Sequence, residues 1–204
     1  MMSPRDAVTA ITSSRLIGIV REHTTDAAKQ EVDRLVAAGV RAIEVSLSTP
    51  GALDVARWMA HQFSDDGVQF GVGTVLTDQD VRDAAAAGAA FVVSPISTAG
   101  LISTCRELRL ASVVGALTPT ECVNATLAGA DLVKLFPAKL WTLDTLKALL
   151  QALPLLKLVP TGGMRMSDAR PWLDAGAVAV GMGGGLRSAG SAADLRAAIA
   201  SLAA

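Results

Sequence analysis

Two charged residues sit inside apolar runs: Glu44 in AIEVSL (42–47) and Lys134 in DLVKLFPA (131–138). Burying a lone charge is costly, so each needs a partner or a purpose. A desolvated lysine amine is a nucleophile toward carbonyl carbon, and a neighbouring carboxylate can carry the protons that such chemistry moves. The bland alternative is a buried ion pair that only fixes the core. Such pairs stabilise poorly, which favours a chemical role. Burial among Leu132, Val133, Leu135 and Phe136 lowers the lysine pKa, while an adjacent carboxylate raises it. The sequence leaves that balance open.

A second signal is paired glycine. PTGGM (160–164) and GMGGG (181–185) each place glycines at the end of an apolar run. Bare backbone amides beside a helix N-terminus make an anion site, most simply for phosphate. Either motif alone reads equally well as a tight turn. Two of them on adjacent strands favour the phosphate site.

These residues need a scaffold that brings distant segments together. Eight runs read as strands: LIGIV (16–20), AIEVSL (42–47), VQFGVGTVL (68–76), FVVSP (91–95), ASVVGAL (111–117), DLVKLFPA (131–138), LKLVPTGG (156–163) and AVAVGMGG (177–184). Between them lie helical patterns, such as Ala28, Val32, Leu35 and Val36 on one face. Helix starts are expected at Thr25, Thr77, Ser97, Thr118, Thr142 and Ser167, and left-handed glycine stops in AAGV, AAGA, LAGA and DAGA. Eight strand–helix units, spaced about 20–27 residues apart, predict a closed (β/α)8 barrel as one domain over 1–204. Residues 3–13 are expected to form an extra helix capping the bottom of the barrel. Alternate strands supply each interior layer, so Glu44 on strand two and Lys134 on strand six can meet.

Composition narrows the classes. The 204 residues are 51% apolar with a formal net charge of −1 and no basic patch, which argues against nucleic acid or membrane as partners. Cys105 and Cys122 lack CxxC spacing and read as free thiols in a reducing compartment. His23 and His61 fall in a loop and a helix, not in a metal-ligand pattern. The tryptophans Trp58, Trp141 and Trp172 read as packing, and the DQD (78–80) and SDD (64–66) runs as solvated helix ends. MMSPRDAVTAITSSRLIG lacks a signal-peptide pattern, so a cytoplasmic location is expected.

The stretches IEVSLSTPG (43–51), GVGTVL (71–76), SP (94–95), VKLFPA (133–138) and PTGG (160–163), in this order and spacing, resemble the 2-dehydro-3-deoxy-phosphogluconate / 4-hydroxy-2-oxoglutarate (KDPG/KHG) aldolase family along nearly the whole chain. The resemblance implies a homotrimeric barrel that uses a lysine Schiff base, no metal and no cofactor. Its substrate would be a phosphorylated 2-keto-3-deoxy acid, cleaved to pyruvate and glyceraldehyde 3-phosphate. It implies Lys134 as the Schiff-base lysine and Glu44 as the acid/base. Thr74 would hold the substrate carboxylate, Pro95 and Phe136 would wall the pyruvate pocket, and Thr161, Gly162 and Gly163 would lie near the sugar hydroxyls and phosphate.

Two departures bear on substrate. Phosphogluconate-type members resemble LEVTLRT in strand two, with an arginine on the carboxylate, where this chain has Ser48. Phosphogalactonate-type relatives instead carry an arginine at the end of strand one, which Arg21 matches; the alternative is an ordinary surface arginine. Where the family commonly places a serine near the phosphate, this chain has Gly184 or Gly185, flanked by Gly183. The alternative substrates are therefore the phosphogalactonate analogue and 4-hydroxy-2-oxoglutarate. A different class is a phosphosugar isomerase or epimerase, or a binding barrel that has lost activity.

Overall fold

The computed structural model describes residues 4–63 and 67–202. The SDD run at 64–66 and position 3 of the expected N-terminal helix lie outside them. Eight strands form one parallel sheet: β1 (Leu16–Val20), β2 (Ala42–Ser46), β3 (Gln69–Gly73), β4 (Phe91–Val93), β5 (Ala111–Ala116), β6 (Leu132–Leu135), β7 (Leu158–Pro160) and β8 (Val180–Met182). The order is β7-β6-β5-β4-β3-β2-β1-β8, with three to five residue pairs in register at each ladder. At the remaining seam, between β7 and β8, Thr161 bridges Gly181 and the Val178 amide donates to the Leu158 carbonyl at 3.0 Å. This is the expected (β/α)8 barrel, nearly closed.

Around the strands run α2 (Thr25–Ala37), α3 (Ala52–Gln62), α4 (Asp78–Ala86), α5 (Ala99–Glu107), α6 (Pro119–Leu127), α7 (Leu143–Ala152), α8 (Met166–Asp174), the single turn α9 (Gly184–Arg187) and α10 (Ala192–Ala200). The glycine stops at Gly39, Gly88, Gly129 and Gly176 all have φ between 84° and 106°, a conformation that costs glycine nothing. Three helix starts fall elsewhere than expected. Thr24, not Thr25, caps α2 by accepting from the Ala27 amide, and Thr98, not Ser97, caps α5 by accepting from Leu101. α8 begins after Arg165 rather than Ser167, because the Asp168 carboxylate accepts the Arg165 amide at 2.8 Å.

The helix α1 (Pro4–Ser14) plugs the lower end of the barrel. Its Ala7 and Ile11 are fully buried against Ile17, Ala42, Phe91, Val113, Leu132 and Val159, which fill the barrel interior. The larger apolar cluster lies between the sheet and the outer helices. Trp172 is buried in it, and the Trp141 indole N–H donates to the Leu117 carbonyl at 3.0 Å. Among the described residues no helix is long and apolar enough to cross a membrane.

Candidate active site

A cleft of about 600 Å³ opens at the upper end, where the strands finish. Catalytic groups of β/α barrels sit at this end because the βα loops converge there. Lys134 reaches it from β6 and is 7% exposed, with its Nζ 4.9 Å from the Phe136 ring centroid. Glu44, on β2, lies beneath the cleft wall and is 2% exposed. Its carboxyl occupies space that only glycine leaves free: a Cβ at Gly73 would fall 1.9 Å from Glu44 Oε2. That oxygen has no hydrogen-bond partner in the structure.

Among the described residues no hydrogen bond or ion pair joins Lys134 to Glu44. They act on each other through space, each as the other's strongest charged neighbour. Burial pushes the Lys134 amine below the ordinary lysine range, the charge of Glu44 pulls it partly back, and Arg21 lowers it again. Burial also holds the Glu44 carboxyl above the usual carboxylate range, against Lys134 and Arg21. The balance that the sequence left open is thus decided by desolvation. The outcome suits a nucleophile and a proton carrier, because it favours the neutral amine and lets the carboxyl keep a proton.

Arg21 follows β1 and lines the cleft. Thr74 follows β3 and lines it too, with φ of 63°. A β-branched residue in the left-handed region is strained by about 1–3 kcal/mol, a cost that glycine would avoid. Its hydroxyl is 2.7 Å from that of Ser46, which is 2.8 Å from that of Ser48. Ser48 does not reach this cleft; it lines the neighbouring groove formed by the β2–α3 loop. Pro95 enters because β5 has Gly115 opposite it, where any Cβ would meet the Pro95 carbonyl at 2.0 Å.

The far wall is glycine-rich. Gly162 and Gly163 have φ of 100° and 74°, and the cleft continues along Gly183, Gly184 and Gly185 at the start of α9. Thr161, 4% exposed, donates its hydroxyl to the Val159 carbonyl and fills the space beside Gly181. A side chain fits at Gly184, which has open space around it, and not at Gly185, whose Cβ would sit 2.2 Å from the Met164 carbonyl.

The structure thus brings Lys134, Arg21, Thr74, Pro95, Phe136, Thr161, Gly162, Gly163, Gly183 and Gly184 to one cleft, with Glu44 packed behind it. It adds three polar side chains that the sequence reading missed: Arg165, Arg187 and Ser188. Arg187 donates to the Arg21 carbonyl and pairs with Glu22, tying the end of β1 to α9. The available signal was position, since all three follow the two glycine motifs within a few residues.

The family model described as KDPG and KHG aldolase matches residues 8–200. A 2-dehydro-3-deoxy-6-phosphogalactonate aldolase of Escherichia coli (strain K12) is 30% identical over 176 residues, 86% of this chain and 85% of that one. A KHG/KDPG aldolase of the same strain is 33% identical over 153 residues, 74% of this chain and 69% of that one. A solved 2-keto-3-deoxy-6-phosphogluconate aldolase of Zymomonas mobilis ZM4, with 3-phosphoglycerate, superposes with a TM-score of 0.84 at 27% identity, covering 99% of this chain and 97% of that one.

Proposed function

The chain belongs to the KDPG and KHG aldolase family, and we propose that it cleaves 2-dehydro-3-deoxy-6-phosphogluconate to pyruvate and glyceraldehyde 3-phosphate through a Schiff base on Lys134. The observation that carries this reading is Lys134 itself: a buried lysine, held toward its neutral form, at the wall of the strand-end cleft. The neutral amine attacks the C2 ketone, and loss of water leaves a protonated imine. A base takes the C4 hydroxyl proton, the C3–C4 bond breaks, and its electrons flow into the imine to give an enamine. Glyceraldehyde 3-phosphate leaves. The enamine takes a proton at C3, and water releases pyruvate and the free amine. Glu44, directly or through water, carries these protons.

In this proposal Thr74 and Arg21 hold the carboxylate, Pro95 and Phe136 wall the pyruvate half, and Thr161 with Gly162, Gly163, Gly183 and Gly184 takes the hydroxyl and phosphate end. The working unit is a homotrimer. Borohydride trapping with pyruvate tests the chemistry: a covalent adduct on Lys134 is expected, and an adduct elsewhere, or none, overturns it.

A second reading has its own observation. Arg21 faces the cleft while Ser48 does not, which is the arrangement matched by phosphogalactonate-type relatives. The substrate would then be 2-dehydro-3-deoxy-6-phosphogalactonate, cleaved by the same steps. Comparing kcat/KM for the two C4 epimers decides between them.

A further inference from the structure

The hydroxyls of Ser48, Ser46 and Thr74 form a continuous chain from the β2–α3 loop to the active cleft. Ser46 is 1% exposed and sits two residues after Glu44 on the same inward face of β2. A serine hydroxyl has one proton to give and two lone pairs to receive. Ser46 Oγ already accepts the Ser48 backbone amide at 3.3 Å. If it also accepts the Ser48 hydroxyl, its own proton points to Thr74 Oγ1, and the Thr74 proton is left to face the cleft. An anion in the cleft favours this direction, because every dipole in the chain then points toward it and each bond strengthens the next. The strained backbone of Thr74 is a second observation in the same sense: a residue with a hydroxyl is kept where glycine would relax the chain.

We propose that the Ser48–Ser46–Thr74 chain sets this enzyme's preference for 2-keto acids bearing a free carboxylate. Ser46 and Ser48 are positioning residues that never touch the substrate and turn Thr74 into a fixed donor. The chain of dipoles complements Arg21 on the side of the carboxylate where Ser48 offers no charge. This rests on Thr74 holding the carboxylate, as proposed above.

The experiment is borohydride trapping rate against concentration, with pyruvate and with acetone, a ketone without a carboxylate. Ser46→Ala and Ser46→Cys should each lower the preference for pyruvate over acetone by about 2–12-fold, the worth of one neutral hydrogen bond. Ser46→Thr, which keeps the hydroxyl, should restore it. Ser48→Ala should cost less than Ser46→Ala, because the Ser48 backbone amide still orients Ser46. Thr74→Val should cost more than either, about 10–150-fold, as a bond to a charged group is lost. An unchanged preference in Ser46→Ala, or equal weakening toward pyruvate and acetone, overturns the chain while a Thr74→Val loss leaves the carboxylate assignment standing. A Thr74→Val enzyme with normal preference overturns that assignment and the proposal with it. Ser46→Cys keeps the volume filled, so a folding defect in Ser46→Ala does not decide the result.

Discussion

At the lower end of the barrel the interior is Phe91, Leu132, Val159 and the plugging Ile11, none with a polar side-chain atom. At the upper end, two residues beyond Ala42, Leu132 and Val159, it is Glu44, Lys134 and Thr161, with a row of glycines along the cleft. Strand alternation sends both sets inward, so position along the strand alone separates them. The lower end gains stability from apolar burial. The upper end gives some of it up, holding an unpartnered carboxyl oxygen, a desolvated amine and a threonine in a strained conformation. The two ends should therefore fail differently: substitutions above should remove activity with little loss of fold, and substitutions below the reverse.

The sharpest contrast is Lys134→Ala. Cleavage and pyruvate trapping should both vanish while circular dichroism and thermal unfolding stay close to the parent. A cleaving Lys134→Ala protein would remove the upper end from the chemistry altogether.

Glu44→Gln should slow cleavage by roughly 10²–10⁴-fold, the usual worth of a positioned proton carrier. Some imine should still form. Glu44 raises the Lys134 pKa, so removing its charge lets the amine lose its proton at lower pH. The acid limb of the trapping profile should move down. A near-normal cleavage rate would return Glu44 to a structural role.

Ile11→Ala tests the lower end. The side chain is fully buried, and its loss should cost about 2–5 kcal/mol by denaturant unfolding. At temperatures where the protein stays folded, kcat should be unchanged. A large fall in kcat would show that the plug also shapes the cleft.

Arg21→Ala should weaken pyruvate capture by roughly 10–150-fold if it holds the carboxylate. Arg21 depresses the Lys134 pKa, so its removal should move the acid limb of trapping up in pH, opposite in sign to Glu44→Gln. Normal pyruvate trapping with lost preference for phosphorylated substrate would instead assign Arg21 to the phosphate.

The two ends also differ in how much of them the sequence reveals. At the lower end, β1, β2, β4 and β5 begin where apolar patterning says they do, at Leu16, Ala42, Phe91 and Ala111, β3 and β6 begin one residue later, and β7 and β8 begin two and three residues later, at Leu158 and Val180. The upper halves run too long in a reading by pattern. VQFGVGTVL continues to 76, while β3 ends at Gly73 because Thr74 turns left-handed. LKLVPTGG continues to 163, while β7 ends at Pro160 before two glycines of positive φ. Apolar residues mark burial, and the cleft wall is buried without being strand. Glu44 and Lys134 were legible because charge inside an apolar run is rare. Ser46 was not, since a serine in a strand carries no such signal until its partners are placed. Apart from their place after the glycine motifs, nothing in the sequence separates Arg165 and Arg187 from other charges on helices, and only the turn of α9 brings Arg187 to the Arg21 carbonyl.

The smallest expected effect concerns the rim and is a gain. Gly184 begins α9, a Cβ added to it would meet nothing within 4 Å, and its φ lies outside the left-handed region, so serine fits there without strain. Its hydroxyl would join backbone amides on the wall that the proposal gives to phosphate. One added hydrogen bond at a solvated site is worth about 2–12-fold. Gly184→Ser should raise kcat/KM by that factor for phosphorylated substrate and leave 4-hydroxy-2-oxoglutarate unaffected, since that substrate has no phosphate to meet it. Gly185→Ser is the internal control: its Cβ would strike the Met164 carbonyl, so it should lose stability rather than gain activity. An equal gain on both substrates in Gly184→Ser would mean that the rim shapes the cleft without reading phosphate. The glycines would then be turn residues, and the division between the two ends would be one of packing alone.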